Sequence, residues 1–216
     1  MFDVNGLLVK SRTDIADHQK PFAHESEPSK DFATSILKIK PTAIIGVSTV
    51  GGAFTQQVIE NMSSINDRPI IFPYSNPTSH SECTAEQAYS WSKGKAIFAS
   101  GSPFAPVTYN GKTFTPGQGN NVFIFPALGL AIYATEAKRV TDEMLLTASE
   151  AVAEQISEED FAKGLIYPPI KNIREVSINV AVKVAEEIFK SGLARVKKPK
   201  NIRKFIMSKM YEPVYK

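Results

Sequence analysis

The segment from Arg68 to Asn121 decides the fold, and it reads RPIIFPYSNPTSHSECTAEQAYSWSKGKAIFASGSPFAPVTYNGKTFTPGQGNN. It contains two short apolar runs, 68–74 and 96–100, and each is closed by turn residues, which predicts two strands. Neither run alternates with polar residues, so both strands should be covered on both faces, as in a parallel sheet. Thr84 can cap a helix between them. The segment therefore predicts a strand–helix–strand unit with polar residues at the strand ends, where open α/β sheets bind ligands.

A similar unit precedes this segment. Residues 42–47 form an apolar run that enters a glycine-bearing turn at 48–54, and Thr55 can cap the helix that follows. A strand, a glycine turn and a helix N-terminus commonly present backbone N–H groups to a dinucleotide. The alternative is that the glycines only allow a tight turn.

Asp3 stands at the end of a short extended stretch, before a turn at Asn5–Gly6. An acidic residue at the end of a Rossmann strand can bind the adenosine ribose of a dinucleotide. The alternative is that Asp3 only opens the turn, which aspartates do frequently.

Apolar spacing and capping residues predict further helices along the chain. One helix is expected before Pro41, and a helix that is apolar almost all round, and therefore buried, is expected at 122–135, with Pro126 kinking it or marking its true start. The basic stretch from Pro199 to the C-terminus is expected to be an arm. The ranges predicted for the helices are 29–40, 56–62, 122–135, 141–156, 157–164 and 173–190.

Four short blocks in the chain resemble the cofactor-binding part of malic enzyme. They are S-N-P-T at 75–78, E-C-T-A-E at 82–86, F-A-S-G-S-P-F at 98–104 and P-G-Q-G-N-N at 116–121, and they occur in the family's order and with similar spacing. The resemblance extends from Phe2 to Tyr215. It implies an α/β fold: an incomplete Rossmann-like parallel sheet with helices on both faces and a helical C-terminal extension. On this basis we expect a partial NAD(P)-binding domain at 1–135 and its helical extension at 136–216.

The dinucleotide fingerprint G-x-G-x-x-G does not occur in the sequence. Since the resemblance covers only the cofactor-binding part of the family protein, we expect this chain to lack an N-terminal half that carries the first βα turn. The run at 42–47 would then be the third strand, and the absent first strand would lie between it and the next strand. In that case Val47, Ile71 and Phe98 would lack neighbours and form an exposed apolar face.

The resemblance also implies site residues, all at the ends of predicted elements. Asn76 could instead be a plain turn residue before proline, and Asn120 or Asn121 could be a helix N-cap. The implied substrate-binding residues are Asn76, Asn120 and Asn121. The implied cofactor-binding residues are Asp3, Val47, Ser48, Ser75, Asn76 and Gly101.

The implied activity is oxidative decarboxylation of (S)-malate to pyruvate and CO₂, with a hydride passing to NAD or NADP. No catalytic residue and no ligand for Mg²⁺ or Mn²⁺ is matched here, so both sets are expected outside this chain, and the isolated chain is expected to be inactive. A homo-oligomer is expected. The alternative function is a non-catalytic fragment or a dinucleotide-binding or interaction module. The choice between NAD and NADP depends on whether Gln19 or Lys20 occupies the position that faces the ribose phosphate.

Composition limits the other classes of function. Hydrophobic residues make up 43% of the chain, which supports a packed core, and the net charge is only +3, so neither nucleic acid nor a membrane is expected as a partner. Cys83 is the only cysteine and is expected to be a packed thiol. Single cysteines fit a reducing compartment, and we expect the cytoplasm or the mitochondrion, with the cytoplasm favoured.

Overall fold

The computed structural model describes residues 1–212, and it divides into two compact units, Met1–Gln118 and one that begins at Gly119. Residues 119–135, which we assigned to the first domain, pack with the later helices. The proposed division into domains stays a prediction, and the two units are described separately below.

The first unit alternates strands and helices. Thr55 and Thr84 cap their helices as predicted, and Thr84 forms a capping box with Gln87, whose side chain returns to the Thr84 N–H. The first helix begins later than the predicted residue 29, because the Asp31 carboxylate caps it by accepting from the Thr34 N–H. The elements are β1 (Phe2–Asp3), β2 (Gly6–Leu7), α1 (Phe32–Ile39), β3 (Ala43–Gly46), α2 (Gln56–Ile65), β4 (Ile70–Pro73), α3 (Ala85–Trp91), β5 (Ile97–Ser100), β6 (Val107–Tyr109), β7 (Lys112–Phe114) and β8 (Gly117–Gln118).

The central sheet has four parallel strands in the order β3-β4-β5-β8. Ile44 lies opposite Ile71, and Ile71 lies opposite Phe98. Because β3 pairs directly with β4, the expectation that an absent strand separates them is wrong. Any further neighbour of β3 must lie along its outer edge. The short hairpins β1–β2 and β6–β7 form separate antiparallel pairs.

The core of the first unit lies on one face of this sheet. Ile44, Ile71 and Phe98 are buried there against side chains of α1, α2 and α3. Ile71 and Phe98 were expected to be exposed, and this is wrong because the helices cover them. Val47 is 76% exposed, as expected, and Ile45 on the opposite face is 59% exposed.

The second unit is helical. Pro126 stands in the first turn of its first α-helix and marks the true start, one of the two outcomes foreseen. The second helix ends at Ala153, earlier than predicted, because the chain turns at Glu154–Ile156 before the Ser157 cap. The elements are α4 (Phe125–Thr135), α5 (Asp142–Ala153), α6 (Glu158–Ala162), α7 (Ile173–Lys190) and α8 (Ile202–Lys209).

The core of the second unit is formed chiefly by α4, α5 and α7. Two expectations fail here. Phe125 and Tyr133 on α4 are 58% and 69% exposed, so this helix is not buried all round. The region after Pro199 is not an extended arm up to residue 212, because α8 packs the fully buried Ile206 into the core. The part of the predicted arm at 213–216 lies outside the described residues.

Candidate functional site

Three parallel strands of the first unit end at the same edge of the sheet. Val47 and Ser48 follow β3, Ser75 and Asn76 follow β4, and Gly101 follows β5. Since neighbouring parallel strands bring their carboxyl ends together, the sequence-predicted residues of the first unit other than Asp3 meet at this edge. We call these three segments, 47–50, 74–76 and 100–102, the strand-end loops.

Asn76 is fixed by the loop that follows β5. Its Oδ1 accepts a hydrogen bond from Ser102 Oγ at 2.5 Å, and Ser102 is only 6% exposed. Its Nδ2 donates to Tyr74 O at 3.4 Å, a long bond that leaves the amide group exposed. Asn76 is therefore held as a planar amide at the surface of the site, with donor capacity for a ligand.

Gly101 allows this close approach of the loops. A Cβ atom at this position would lie 2.3 Å from Tyr74 O and 2.7 Å from Asn76 Nδ2, closer than any side chain tolerates. The Gly101 N–H donates to Pro73 O at 3.2 Å, and its carbonyl accepts from Gln118. The glycine is required by the approach of two protein segments, and a direct contact of Gly101 with a cofactor stays a prediction.

The turn after β3 uses its backbone N–H groups within the protein. The Ser48 N–H donates to Glu82, the Thr49 N–H to Ser75 Oγ and the Gly52 N–H to Ser81 O. These three N–H groups are therefore not available to a dinucleotide, and presentation of the other N–H groups of the turn and of the helix start stays a prediction. Val47 and Ser48 remain predicted cofactor contacts through their exposed side chains.

Glu82 was not among the predicted site residues, although it belongs to the E-C-T-A-E block. It is fully buried and accepts hydrogen bonds from both Ser48 and Ser75. In the sequence, Glu82 stands between the small residues Ser81 and Cys83 in a loop. This pattern by itself does not distinguish a buried hydrogen-bond acceptor from a charge on the surface.

Asp3 lies in an ion-pair cluster at the β1–β2 hairpin. Arg12 donates to both oxygens of Asp3, at 2.9 and 3.0 Å, and also to Asp14. These hydrogen bonds lower the pKa of Asp3, and they lower the pKa of Asp14 to about 2. Asp3 is thus held as a carboxylate, and its contact with a ribose stays a prediction.

The two residues that could decide between NAD and NADP lie in a short 3₁₀ helix at Asp17–Phe22. Gln19 turns its side-chain oxygen back to the Ala16 N–H at 2.9 Å, which caps that helix. Lys20 has a side chain that is 61% exposed and pairs with Asp17. Of the two candidates, Lys20 therefore offers an exposed cation, whereas the Gln19 side chain is used as a helix cap.

The remaining predicted substrate residues belong to the second unit. Asn120 Oδ1 accepts from the Val122 N–H at 2.9 Å, so Asn120 is an N-cap, the alternative left open by the sequence. Asn121 is exposed at the start of the same 3₁₀ turn, Asn121–Phe123, and within residues 1–212 its side-chain amide makes no hydrogen bond. A ligand could therefore use both the donor and the acceptor of Asn121.

Other reactive groups offer less. Cys83 is buried, as predicted, and burial raises the pKa of its thiol, with the charge of Glu82 as a smaller cause, so it is not a nucleophile. Within the described part of the chain, no three His, Cys, Asp or Glu side chains come close enough to hold a metal ion. The same part of the chain has no helix that combines the length and apolar character needed to cross a membrane.

The parallel sheet, its capped helices and the polar strand ends define an open α/β protein of the Rossmann-like class, in which ligands bind at the strand ends. Residues 1–189 match the family model described as "Malic enzyme, NAD binding domain". Because this match covers most of the sequence, the chain belongs to the malic enzyme family. The family resemblance and the α/β fold class predicted from the sequence are both confirmed.

Similar proteins include NADP-dependent malic enzymes of plants. The chain is 56% identical over 218 residues to the NADP-dependent malic enzyme of Vitis vinifera, covering all of this chain and 37% of that protein. It is 52% identical to NADP-dependent malic enzyme 4, chloroplastic, of Arabidopsis thaliana, covering 34% of that protein. The chain thus spans about a third of the length of these relatives.

Two solved structures are similar to this fold. The crystal structure of the Entamoeba histolytica malic enzyme has a TM-score of 0.73 at 22% identity and covers 94% of this chain and 40% of that one. The malic enzyme of Pyrococcus horikoshii has a TM-score of 0.65 at 27% identity and covers 90% of this chain and 42% of that one. These likenesses show that malic enzymes contain this fold.

Proposed function

We propose that this chain is the cofactor-binding part of a full-length parent that converts (S)-malate to pyruvate and CO₂ with transfer of a hydride to NADP. The observation that carries the proposal is the meeting of Ser48, Ser75, Asn76 and Gly101 at the carboxyl ends of three neighbouring parallel strands. The proposal is supported by the relatives, several of which are named NADP-dependent malic enzymes.

The amide side chains supply orientation rather than proton transfer. A bound nicotinamide cofactor would supply the hydride acceptor for the oxidation of malate. In the first unit, Asn76 keeps an Nδ2 donor at the strand ends while Ser102 fixes its oxygen. In the second unit, the exposed Asn121 offers both an acceptor and a donor. Amides suit this purpose because their hydrogen-bonding capacity does not change with pH, so carboxylate and carboxamide groups can be held in fixed positions.

The described residues do not fit Mg²⁺ or Mn²⁺, because no group of three candidate ligands exists among them. The metal ligands, the general acid and the general base are proposed to lie in the part of the parent outside these residues.

We propose NADP rather than NAD as the cofactor. Lys20 is an exposed cation that pairs with Asp17, and a lysine can pair with a 2′-phosphate. The names of the relatives support the same choice. Lys20→Gln in the parent should raise the KM for NADP and leave that for NAD unchanged, whereas equal effects on both cofactors would contradict this assignment.

The test of the main proposal is Asn121→Ala in the full-length parent. Loss of a polar contact in a closed site costs a few kcal/mol, so kcat/KM for malate should fall by about 10²-fold. Asn172→Ala is the matched control, because Asn172 is also exposed at a helix start in the second unit and caps nothing. Equal kinetics of the two variants would overturn the role of Asn121.

The isolated chain should not oxidise malate. Missing acid–base groups remove about 10²–10⁴-fold each, and the absent pyrophosphate-binding turn removes the oriented encounter with the cofactor. The measurement is reduction of NADP with malate and Mn²⁺ by the purified chain and by the parent. Turnover by the chain alone would show that the catalytic groups lie within it. A parent that binds NADP without oxidising malate would support the alternative, a dinucleotide-binding module.

We further propose that the parent is a homo-oligomer of the cytoplasm. The exposed Phe125 and Tyr133 on α4 support a protein contact on that helix. Sedimentation of the parent tests the first point, and localisation of a tagged parent tests the second. A plastid signal would contradict the cytoplasm and would agree with relatives whose names say chloroplastic.

A further inference from the structure

Glu82 is a charged residue without exposure to solvent. Its side chain lies in the loop before α3 and is 0% exposed. Among the described residues no lysine or arginine forms a salt bridge with it. A carboxylate in such a place must be satisfied by hydrogen-bond donors, and the identity of those donors shows what the residue holds.

Within residues 1–212, all the donors to the Glu82 carboxylate come from two strand-end loops. Oε1 accepts from Ser48 N and Ser48 Oγ, both at 3.1 Å, and from Ser75 Oγ at 2.5 Å. Oε2 accepts from Ser75 N at 3.4 Å. One buried side chain from a third segment therefore fastens the ends of β3 and β4 to each other.

This arrangement extends to the backbone of the turn. Ser75 Oγ also accepts from the Thr49 N–H at 2.8 Å, and Thr49 has a φ of 60°, in the left-handed region that threonine seldom adopts. The space for the carboxylate is provided by Gly46, where a Cβ atom would lie 2.3 Å from Glu82 Cδ. The left-handed turn at Thr49, the absence of a side chain at Gly46 and the buried carboxylate of Glu82 thus depend on one another.

We propose that Glu82 is a positioning residue for the dinucleotide, because it sets the spacing of the strand-end loops at 47–50 and 74–76. This inference rests on the proposed function. The N–H groups of Ser48 and Ser75 donate to Glu82 and are therefore not free to bind a ligand themselves, so Glu82 acts through the placement of the loops.

The decisive substitution is Glu82→Gln, which keeps shape and removes charge. Serine hydroxyls can rotate to accept from the new amide, but backbone N–H groups cannot. Ser48 N and Ser75 N face different carboxylate oxygens, so the amide NH₂ must oppose one of them in either orientation. One loop is therefore released even though the side chain still fits.

The experiment measures the dissociation constant for NADP⁺ by titration calorimetry, with malate turnover, on the full-length parent. Glu82→Gln should weaken NADP⁺ binding by about tenfold, since one hydrogen bond to a charged group is lost. Glu86→Gln is the matched control, because Glu86 carries the same charge four residues later but is exposed, and its constant should stay within about twofold. If Glu82 has a purely structural role, Glu82→Gln should lower the melting temperature while the folded variant binds NADP⁺ with the dissociation constant of the unsubstituted parent. That result would overturn the inference.

A second variant decides the matter if Glu82→Gln does not fold. Ser75→Ala removes the hydroxyl that links Glu82 to Thr49 while leaving the buried carboxylate with both Ser48 bonds. Ser75 is only 4% exposed and its hydroxyl is occupied by Glu82 and Thr49, so its removal acts on the loops and not on a ligand contact of that hydroxyl. Weakening of NADP⁺ binding by several-fold supports the inference, and an unchanged constant overturns it. If the unsubstituted parent neither binds NADP⁺ nor oxidises malate, the proposed function itself is wrong. If the parent and its variants bind NADP⁺ equally well, only the role of Glu82 is wrong.

Discussion

Gly101→Ala should destabilise the first unit and disturb the site together. The added Cβ would lie 2.3 Å from Tyr74 O and 2.7 Å from Asn76 Nδ2, and the first of these atoms belongs to backbone that cannot rotate away. Relief requires the loops after β4 and β5 to separate, which breaks the Gly101 N–H bond to Pro73 O. Overpacking of this kind costs about 1–3 kcal/mol.

The measurement is urea unfolding of the 216-residue chain, followed by the fluorescence of Trp91, the only tryptophan, which lies in the first unit. A loss of about 2 kcal/mol moves the midpoint down by roughly 1 M. The matched control is Gly129→Ala inside α4, where a Cβ would meet nothing within 4 Å. Because alanine has the higher helix propensity, the free energy of unfolding followed by far-UV circular dichroism should rise by about 0.5–1 kcal/mol. A Gly101→Ala midpoint equal to that of the unsubstituted chain would refute the steric reasoning.

The other expected outcomes concern single side chains. Tyr89→Phe should raise the free energy of unfolding by about 1 kcal/mol, because the Tyr89 hydroxyl is buried without a partner among the described residues; an unchanged urea midpoint would reveal a bound water. The Arg12 bonds lower the pKa of Asp14 from 3.8 to about 2, so this stabilisation is present above pH 3.8 and is lost as the pH falls through 2. Asp14→Asn should flatten the acid dependence of the urea midpoint in that window, and an unaltered slope would contradict the pairing. Asn120→Ala removes the N-cap and should lower the free energy of unfolding, measured by calorimetry, by about 1 kcal/mol. Asn120→Asp keeps the acceptor oxygen and should leave that free energy unchanged.

Local chemistry made several elements predictable from the sequence. Thr55 and Thr84 each place a hydroxyl where it meets a free N–H at a helix start, and this depends only on residues within one turn. The strands β4 and β5 were predictable because their apolar runs are short and closed by turn residues. The polar residues at their ends were found for the same reason.

The order of the strands was not predictable from local chemistry. A run such as 42–47 looks the same whichever neighbour it has, and only the register of Ile44 with Ile71 shows that β3 and β4 are adjacent. Strand β8 has two residues and was missed because so short a strand carries no periodicity.

The contacts that fix the site are also long-range in sequence. Glu82 is 34 positions from Ser48, and Ser102 is 26 positions from Asn76. Side-chain exposure on α4 was misjudged because its apolar composition does not show which residues face the other helices.

The outer edge of β3 has a consequence for handling this chain. Among residues 1–212 that edge pairs with no other strand, and Ile45 and Val47 beside it are exposed. Unpaired backbone groups flanked by apolar side chains form an edge to which a strand of a second chain can pair. Aggregation therefore competes with refolding of the chain. Yield on refolding should therefore fall as protein concentration rises, and a lysine in place of Ile45 should protect the chain without touching its core.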